Sequence, residues 1–347
     1  MSEMKYVGVL ADGTKVKISS DSPNISIVIS GISGTGKSVR ICDLETQIIA
    51  GGSTVIAFDL DGSHSILSGE ENVISVREDG IALKFLDAEI LKKSANEMSL
   101  YICEVADLLF SATKAGDRQK GILRDAILWA LKNRKCFGSD FEAIEAGLEE
   151  IGTERALGVR DKIWPLLKCN VFRESKREIQ KGKINIISLE GLDPDLKVVI
   201  SEILLKNLWK EALIVKENKI TIIVDEFQHL LLNKKAMLVQ LLTEGRKYGL
   251  DVILATQSLA RFSNDTLVAL NQAAVRLYFR PALNETKELA LQIDSVNVER
   301  TMLMLKQLKI GESVAVGNLE FSGRQMNRPI VIKTNYKEKL TPSIRRL

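Results

Sequence analysis

The sequence predicts an α/β fold: a mostly parallel central sheet covered by helices, with an all-helical insertion and a short N-terminal β-hairpin. Three observations carry this prediction. Near-continuous apolar segments at 24–30, 54–58, 184–189, 220–224 and 252–256 alternate with helical periodicities, the pattern of strands buried on both faces. The first of these segments runs through a Gly-rich turn into an amphipathic stretch. Residues 88–180 carry long helical periodicities and few strand signals.

Taken in order, residues 4–19 alternate loosely around Ala11-Asp12-Gly13 and read as a β-hairpin. Residues 24–30 (NISIVIS) are a buried strand. After the Gly-rich turn, Ser38, Ile41, Leu44 and Ile48 keep helical spacing until Gly51-Gly52. Residues 54–58 (TVIAF) form the next strand, closing on Asp59, so this stretch is a parallel strand–helix–strand unit. In the middle, Ile122, Leu123, Ala126, Ile127, Ala130 and Leu131, then Phe141, Ile144, Leu148 and Ile151, mark helices. The polar stretch 113–120 between such segments reads as a loop. Strand signals resume at 184–189, a helix is expected at 195–215, and strands at 220–224 and 252–256 enclose another helix. Three more short strands are expected at 275–279, 313–317 and 329–333. The expected organisation is a hairpin at 1–22, an α/β core at 23–87 and 181–335, a helical insertion at 88–180 and a polar tail at 336–347.

Composition excludes several classes. With 45% hydrophobic residues and a net charge of +3 over 347 residues, the chain is neither disordered nor strongly basic. Four cysteines without a CxxC pair, and two histidines, argue against a zinc site and a disulfide framework. No apolar run approaches the ~20 residues that span a bilayer, so a cytoplasmic protein is expected.

The chemistry concentrates at strand ends. Gly31-Ile32-Ser33-Gly34-Thr35-Gly36-Lys37-Ser38 fits G-x-x-x-x-G-K-[ST] between a buried strand and a helix. Glycines let backbone N–H groups converge on phosphate oxygens, and the following helix turns its positive end to the same anion. Lys37 can reach the β- and γ-phosphates and the Ser38 hydroxyl can ligand Mg²⁺; Val39 is expected to complete the nucleotide-contacting stretch. At the end of 220–224, Asp225 is the candidate for the Mg²⁺ shell and Glu226 for orienting and polarising the attacking water. An acidic pair after an apolar strand is also what a helix N-cap looks like. Gln257 ends 252–256, where α/β sheets bind ligands, and could hydrogen-bond a γ-phosphate or water. Asp59 is a further carboxylate candidate.

Together these segments resemble the HerA/FtsK superfamily of ring-forming P-loop motors. Besides the phosphate loop, the resemblance rests on residues 55–62 (VIAFDLDG), 80–87 (GIALKFLD), 184–192 (INIISLEGL), 245–249 (GRKYG) leading into Ala255-Thr256-Gln257, and 311–317 (GESVAVG). It spans roughly 4–333. It implies a RecA-like ATPase core, ATP and Mg²⁺ as cofactors, a homohexameric ring with nucleotide at subunit interfaces, and double-stranded DNA in the pore. In that setting Arg246 is the candidate arginine finger, acting on a neighbour's γ-phosphate; a solvated helix-end pair with Lys247 is the other reading. Lys114, Arg118, Lys120, Lys234 and Lys235 are candidate pore contacts that net charge does not distinguish from solvated surface charge. The phosphate loop begins at residue 31, so the family's usual N-terminal barrel is expected to be absent or reduced to the hairpin. Secretion or genome-packaging motors, and a nucleotide-gated scaffold for a partner such as a nuclease in DNA repair or phage defence, share these features.

Overall fold

The computed structural model describes residues 6–64, 71–81, 85–111, 117–169, 171–173, 175, 177–214, 219–232, 236–260, 262–326 and 328–334. Thirteen strands among them form one sheet: β1 (Tyr6–Val9), β2 (Lys15–Ile18), β3 (Ile27–Ser30), β4 (Thr54–Asp59), β5 (Asn72–Ser75), β6 (Ile184–Ser188), β7 (Ile220–Val224), β8 (Leu250–Thr256), β9 (Val275–Tyr278), β10 (Glu312–Gly317), β11 (Leu319–Phe321), β12 (Arg324–Met326) and β13 (Ile330–Lys333). Their order is β12-β11-β2-β1-β13-β10-β9-β3-β8-β7-β4-β6-β5.

The block β9-β3-β8-β7-β4-β6 is parallel. β3, β4 and β7 are runs of β-branched and aliphatic residues, and every residue of β3 and β4 is buried. Such strands need cover on both faces, and a parallel sheet with crossover helices supplies it. From β10 outward the wing is antiparallel, and the N-terminal hairpin joins it through Val9↔Lys333 and Leu319↔Ile18. The helix Lys37–Ala50 presents Ile41, Leu44 and Ile48 at helical spacing to a buried cluster containing Ile27, Ile29, Val55 and Ile253. Gly51 caps its end. β3 and β4 share the sheet, but β8 and β7 lie between them.

The chain divides into two compact units: Met1–Val73 with Ile179–Ser188 and Leu208–Leu347, and Ile74–Glu178 with Leu189–Asn207. The second is helical, containing Ala95–Ser111, Asp117–Asn133, Asp140–Ile151 and Glu154–Lys168. A capping box at Ser139 and Glu142 starts the third of these, and its Phe141 ring stacks on Phe85 at 5.0 Å. The stretch 113–120 is not all loop: the helix Asp117–Asn133 begins inside it. Polar residues fill a helix's first turn as readily as a loop, and Lys120 pairs from that turn with Asp107 at 3.2 Å. Lys114, Lys234, Lys235 and the tail 336–347 lie outside the described residues, as does the side chain of Arg118. No helix among the described residues is long and apolar enough to cross a membrane.

Candidate nucleotide site

Parallel pairing brings the carboxyl ends of β3, β4, β7 and β8 to one edge of the sheet. Ser30 lies beside Thr256, Val224 beside Leu254, and Phe58 beside Val224. The residues that follow these strands, Gly31, Asp225, Glu226 and Gln257, with Asp59 closing β4, therefore meet along that edge. This is where open α/β sheets hold ligands.

Gly31 is required sterically. Its φ is +149°, and a Cβ there would lie 2.6 Å from Phe279 Cβ and 3.0 Å from the Phe279 carbonyl carbon. Both flanks are tied to the two residues that follow β9: Phe279 N–H donates to Ser30 O at 2.7 Å and Ile32 N–H to Arg280 O at 3.0 Å. On its far side the loop is held by Gly311 N–H donating to Thr35 O at 2.9 Å, and by Thr35 Oγ1 donating to Ile32 O at 2.7 Å. The helix Lys37–Ala50 then starts from Gly36, at φ +107°, with no side-chain cap and no acidic residue in its first turn. Its leading N–H groups stay available, as an anion site at a helix N-terminus needs. Ser33, Gly34 and Ser38 are exposed and Val39 is half-buried. These features fit a polyphosphate.

Lys37 is buried, its ammonium donating to Gly31 O at 2.7 Å within the same loop. Burial pushes its pKa down, and the charges of Asp225 and Glu226 offset this only in part, so the ammonium sits below its ordinary value. Burial raises the Asp225 carboxyl, the neighbouring Glu226 charge adds to the rise, and Lys37 opposes it. Asp225 Oδ1 also accepts from the Glu226 N–H at 2.9 Å. No cluster of three or more His, Cys, Asp or Glu able to hold a metal occurs among the described residues. Asp225 and Ser38 instead suit Mg²⁺, which keeps waters and phosphate oxygens in its shell.

Glu226 stands in left-handed backbone, φ 53° and ψ 42°, an uncommon conformation for a residue with a Cβ. Its side chain is not an N-cap. Gln257 Nε2 donates to Glu226 Oε1 at 2.8 Å. Gln228 Nε2 donates to Glu226 Oε2 at 2.5 Å, and Gln228 Oε1 accepts from Thr256 Oγ1 at 2.7 Å. Asp59 Oδ1 accepts from the Gly62 N–H at 2.9 Å and turns the chain after β4. That turn delivers His64 to Glu45 of the phosphate-loop helix, Nε2 to Oε1 at 3.0 Å, with both side chains buried. Burial opposes charging of this imidazole, but Glu45, Asp59 and Asp225 outweigh it and raise its pKa.

Gly31, Lys37, Asp59, Asp225, Glu226 and Gln257 are thus gathered at one edge. Arg246 is not among them. It is exposed on the turn Gly245–Tyr248, ahead of the start of β8, while Gln257 follows its end. Seven strand residues at about 3.3 Å each set the two ends roughly 20 Å apart. Gln228, His64 and Glu45 escaped the sequence reading. Gln228 carried a signal, since it lies two residues beyond Glu226; the Glu45–His64 pair carried none.

The family described as "Helicase HerA, central domain" matches residues 5–208. The DNA double-strand break repair helicase HerA of Sulfolobus acidocaldarius is 24% identical over a 376-residue alignment spanning 96% of this chain and 70% of that protein. Among solved structures, VirB4 of Thermoanaerobacter pseudethanolicus superposes with a TM-score of 0.76 at 16% identity, covering 96% of each chain. The bacterial conjugative coupling protein TrwB superposes at 0.66 with 15% identity, covering 97% of this chain and 91% of that one.

Proposed function

Since the chain belongs to the family of the HerA helicase central domain, we propose that it is a Mg²⁺-dependent motor that assembles as a homohexameric ring and translocates double-stranded DNA. It is an ATP-hydrolysing P-loop NTPase. One observation carries the assignment of roles: the Glu226 carboxylate lies within hydrogen-bond reach of Gln257, on the strand edge that also carries Lys37 and the uncapped helix start.

In this reading the N–H groups of Gly31–Ser38 and of the helix start bind the phosphates, and Lys37 exchanges its own loop carbonyl for a phosphate oxygen. Mg²⁺ on Ser38 and Asp225 would neutralise charge developing on the phosphoryl oxygens. Glu226 orients and polarises the attacking water, and Gln257, bonded to Glu226, senses the γ-phosphate. Asp59 sets the charge at the metal side of the site. Arg246, exposed and remote from its own chain's site, would complete the neighbour's site in such a ring. The relative named as a DNA double-strand break repair helicase supports DNA as the track. A secretion motor would share the site but not DNA-stimulated turnover, a genome-packaging motor would share both, and a nucleotide-gated scaffold holding a nuclease would keep its function in Glu226→Gln.

The test is phosphate release by the purified chain with Mg²⁺, with and without duplex DNA. Wild type is expected to hydrolyse ATP faster with DNA. Lys37→Ala should lose binding and turnover. Glu226→Gln should bind nucleotide but turn over at least ~100-fold more slowly, the span of a lost general base. Hydrolysis unaffected by either substitution would refute the site, and turnover indifferent to DNA would refute the track.

A further inference from the structure

Glu226 needs help to hold its pose. Its backbone, at φ 53°, is in a region that residues with a side chain occupy only where the surroundings enforce it. Its carboxylate would sweep a wide arc if the side chain were free. Two amides prevent this, one on each oxygen: Gln257 Nε2 on Oε1 at 2.8 Å and Gln228 Nε2 on Oε2 at 2.5 Å. Gln257 is exposed and positioned to leave Glu226 for a ligand. Gln228 is not, because its other end is fixed. Its Oε1 accepts from Thr256 Oγ1 at 2.7 Å, and Thr256 is a wholly buried residue at the end of β8. The contact with Glu226 settles which way the amide points, because the reverse orientation would press Oε1 against a carboxylate oxygen at 2.5 Å.

We infer that Gln228 is a positioning residue for Glu226: anchored on Thr256, it holds the carboxylate in one orientation while Gln257 is free to engage the nucleotide. A carboxylate offers about four lone-pair sites, and the two amides use two. The others remain open to a water, so the arrangement orients the group without occupying it. The Gln228 amide is committed to Glu226 and Thr256, so its role runs through Glu226. The inference rests on Glu226 being the residue that activates water.

The experiment compares Gln228→Met, which keeps the length and removes the hydrogen bonds, and Gln228→Glu, which keeps the size and the acceptor but sets a second carboxylate against Glu226. Each is made in the wild-type chain and in Glu226→Gln, and steady-state ATP hydrolysis and nucleotide affinity are measured. Both variants are expected to lower kcat by about 10-fold or more, the effect of a misplaced reacting group, with KM and nucleotide affinity unchanged. In the Glu226→Gln background neither should cause further loss, because the group they position is already gone. A kcat within twofold of wild type overturns the inference. So does a loss that multiplies with that of Glu226→Gln, or one that appears in KM, since a merely structural role would act in both backgrounds. If wild type shows no hydrolysis sensitive to Lys37→Ala, the underlying reading has failed. Normal wild-type hydrolysis with indifferent Gln228 variants means that only the positioning role has failed.

Discussion

Replacing Gly31 with alanine tests whether the phosphate loop is held by its contact with the residues that follow β9. The added Cβ would meet Phe279 Cβ at 2.6 Å and Phe279 C at 3.0 Å. Phe279 is wholly buried, and the close atoms belong to its backbone and first side-chain carbon, so no flexible tip can swing aside. Two costs add. The backbone at φ +149° costs a residue with a side chain about 1–3 kcal/mol. Forcing extra volume into a packed site costs about another 1–3 kcal/mol. The total of about 2–6 kcal/mol compares with a usual stability of about 5–15 kcal/mol. At roughly 2 °C per kcal/mol for a chain this large, the unfolding midpoint should fall by roughly 4–12 °C. Gly34→Ala is the control. Gly34 has φ +77° but no heavy atom within 4 Å of its added Cβ, so only the backbone cost applies, about 1–2 kcal/mol, or roughly 2–4 °C. Thermal unfolding is followed without nucleotide, because a ligand that binds only the folded state raises the midpoint by mass action. Fluorescent-nucleotide binding is measured in parallel. Gly31→Ala should also lose affinity, since Phe279 Cε1 lies 3.6 Å from where a Cβ on Gly36 would be and a shifted ring disturbs the loop. Equal midpoints for the two variants, or a Gly31→Ala midpoint within 1 °C or so of wild type, would refute the steric argument.

Two further predictions concern buried charge. Asp225→Asn should abolish hydrolysis yet raise the unfolding midpoint at pH 7.5. Burial and the Glu226 charge put the folded pKa of Asp225 above 3.8, so its ionisation penalises the fold above that folded pKa and not below 3.8. The gain should therefore shrink as pH falls toward 4; a variant less stable than wild type at pH 7.5 contradicts this. His64→Gln should destabilise most at pH 6 and least at pH 9, read by thermal unfolding across that range. Although burial opposes its charge, Glu45 and the nearby carboxylates raise the folded pKa of His64 above 6.5. The stability it contributes is complete below 6.5 and lost as pH rises through the folded pKa. A wild-type advantage constant across the range would show that the pair acts by packing alone.

Local chemistry explains why so much of the site was legible. The phosphate loop is contiguous, and the composition of β3 fixes where it starts. Asp225-Glu226 and Gln257 each follow a run whose hydrophobicity marks a buried strand, and such strands in an α/β sheet end at the ligand edge. The helix at Lys37–Ala50 and its glycine stop follow from spacing alone. The wing was harder to read. β11 and β12 are three residues each and partly exposed, too short for a period of two to register. β5 is four residues long. The start of the helix Asp117–Asn133 was hidden because a helix's first turn and a loop draw on the same polar residues.

Some features depend on long-range pairing that no local period encodes. The placement of β8 and β7 between β3 and β4 decides that Gly31 borders Gln257 and that Asp59 borders the acidic pair. The meeting of Gln257 and Glu226 spans 31 residues, and that of Gln228 and Thr256 spans 28. The Glu45–His64 pair is buried because a turn after β4 folds back onto the phosphate-loop helix; read alone, Glu is an ordinary surface type and His an intermediate one. By itself the sequence determined the elements, the phosphate loop and the residue types at each strand end, because backbone propensity, glycine and hydrophobic period act over a few neighbours. Only the tertiary structure decided which strand ends stand side by side, which carboxylate is held by which amide, and which charges are buried together. Those depend on strand order and register, where a shift of one position would part every one of these pairs.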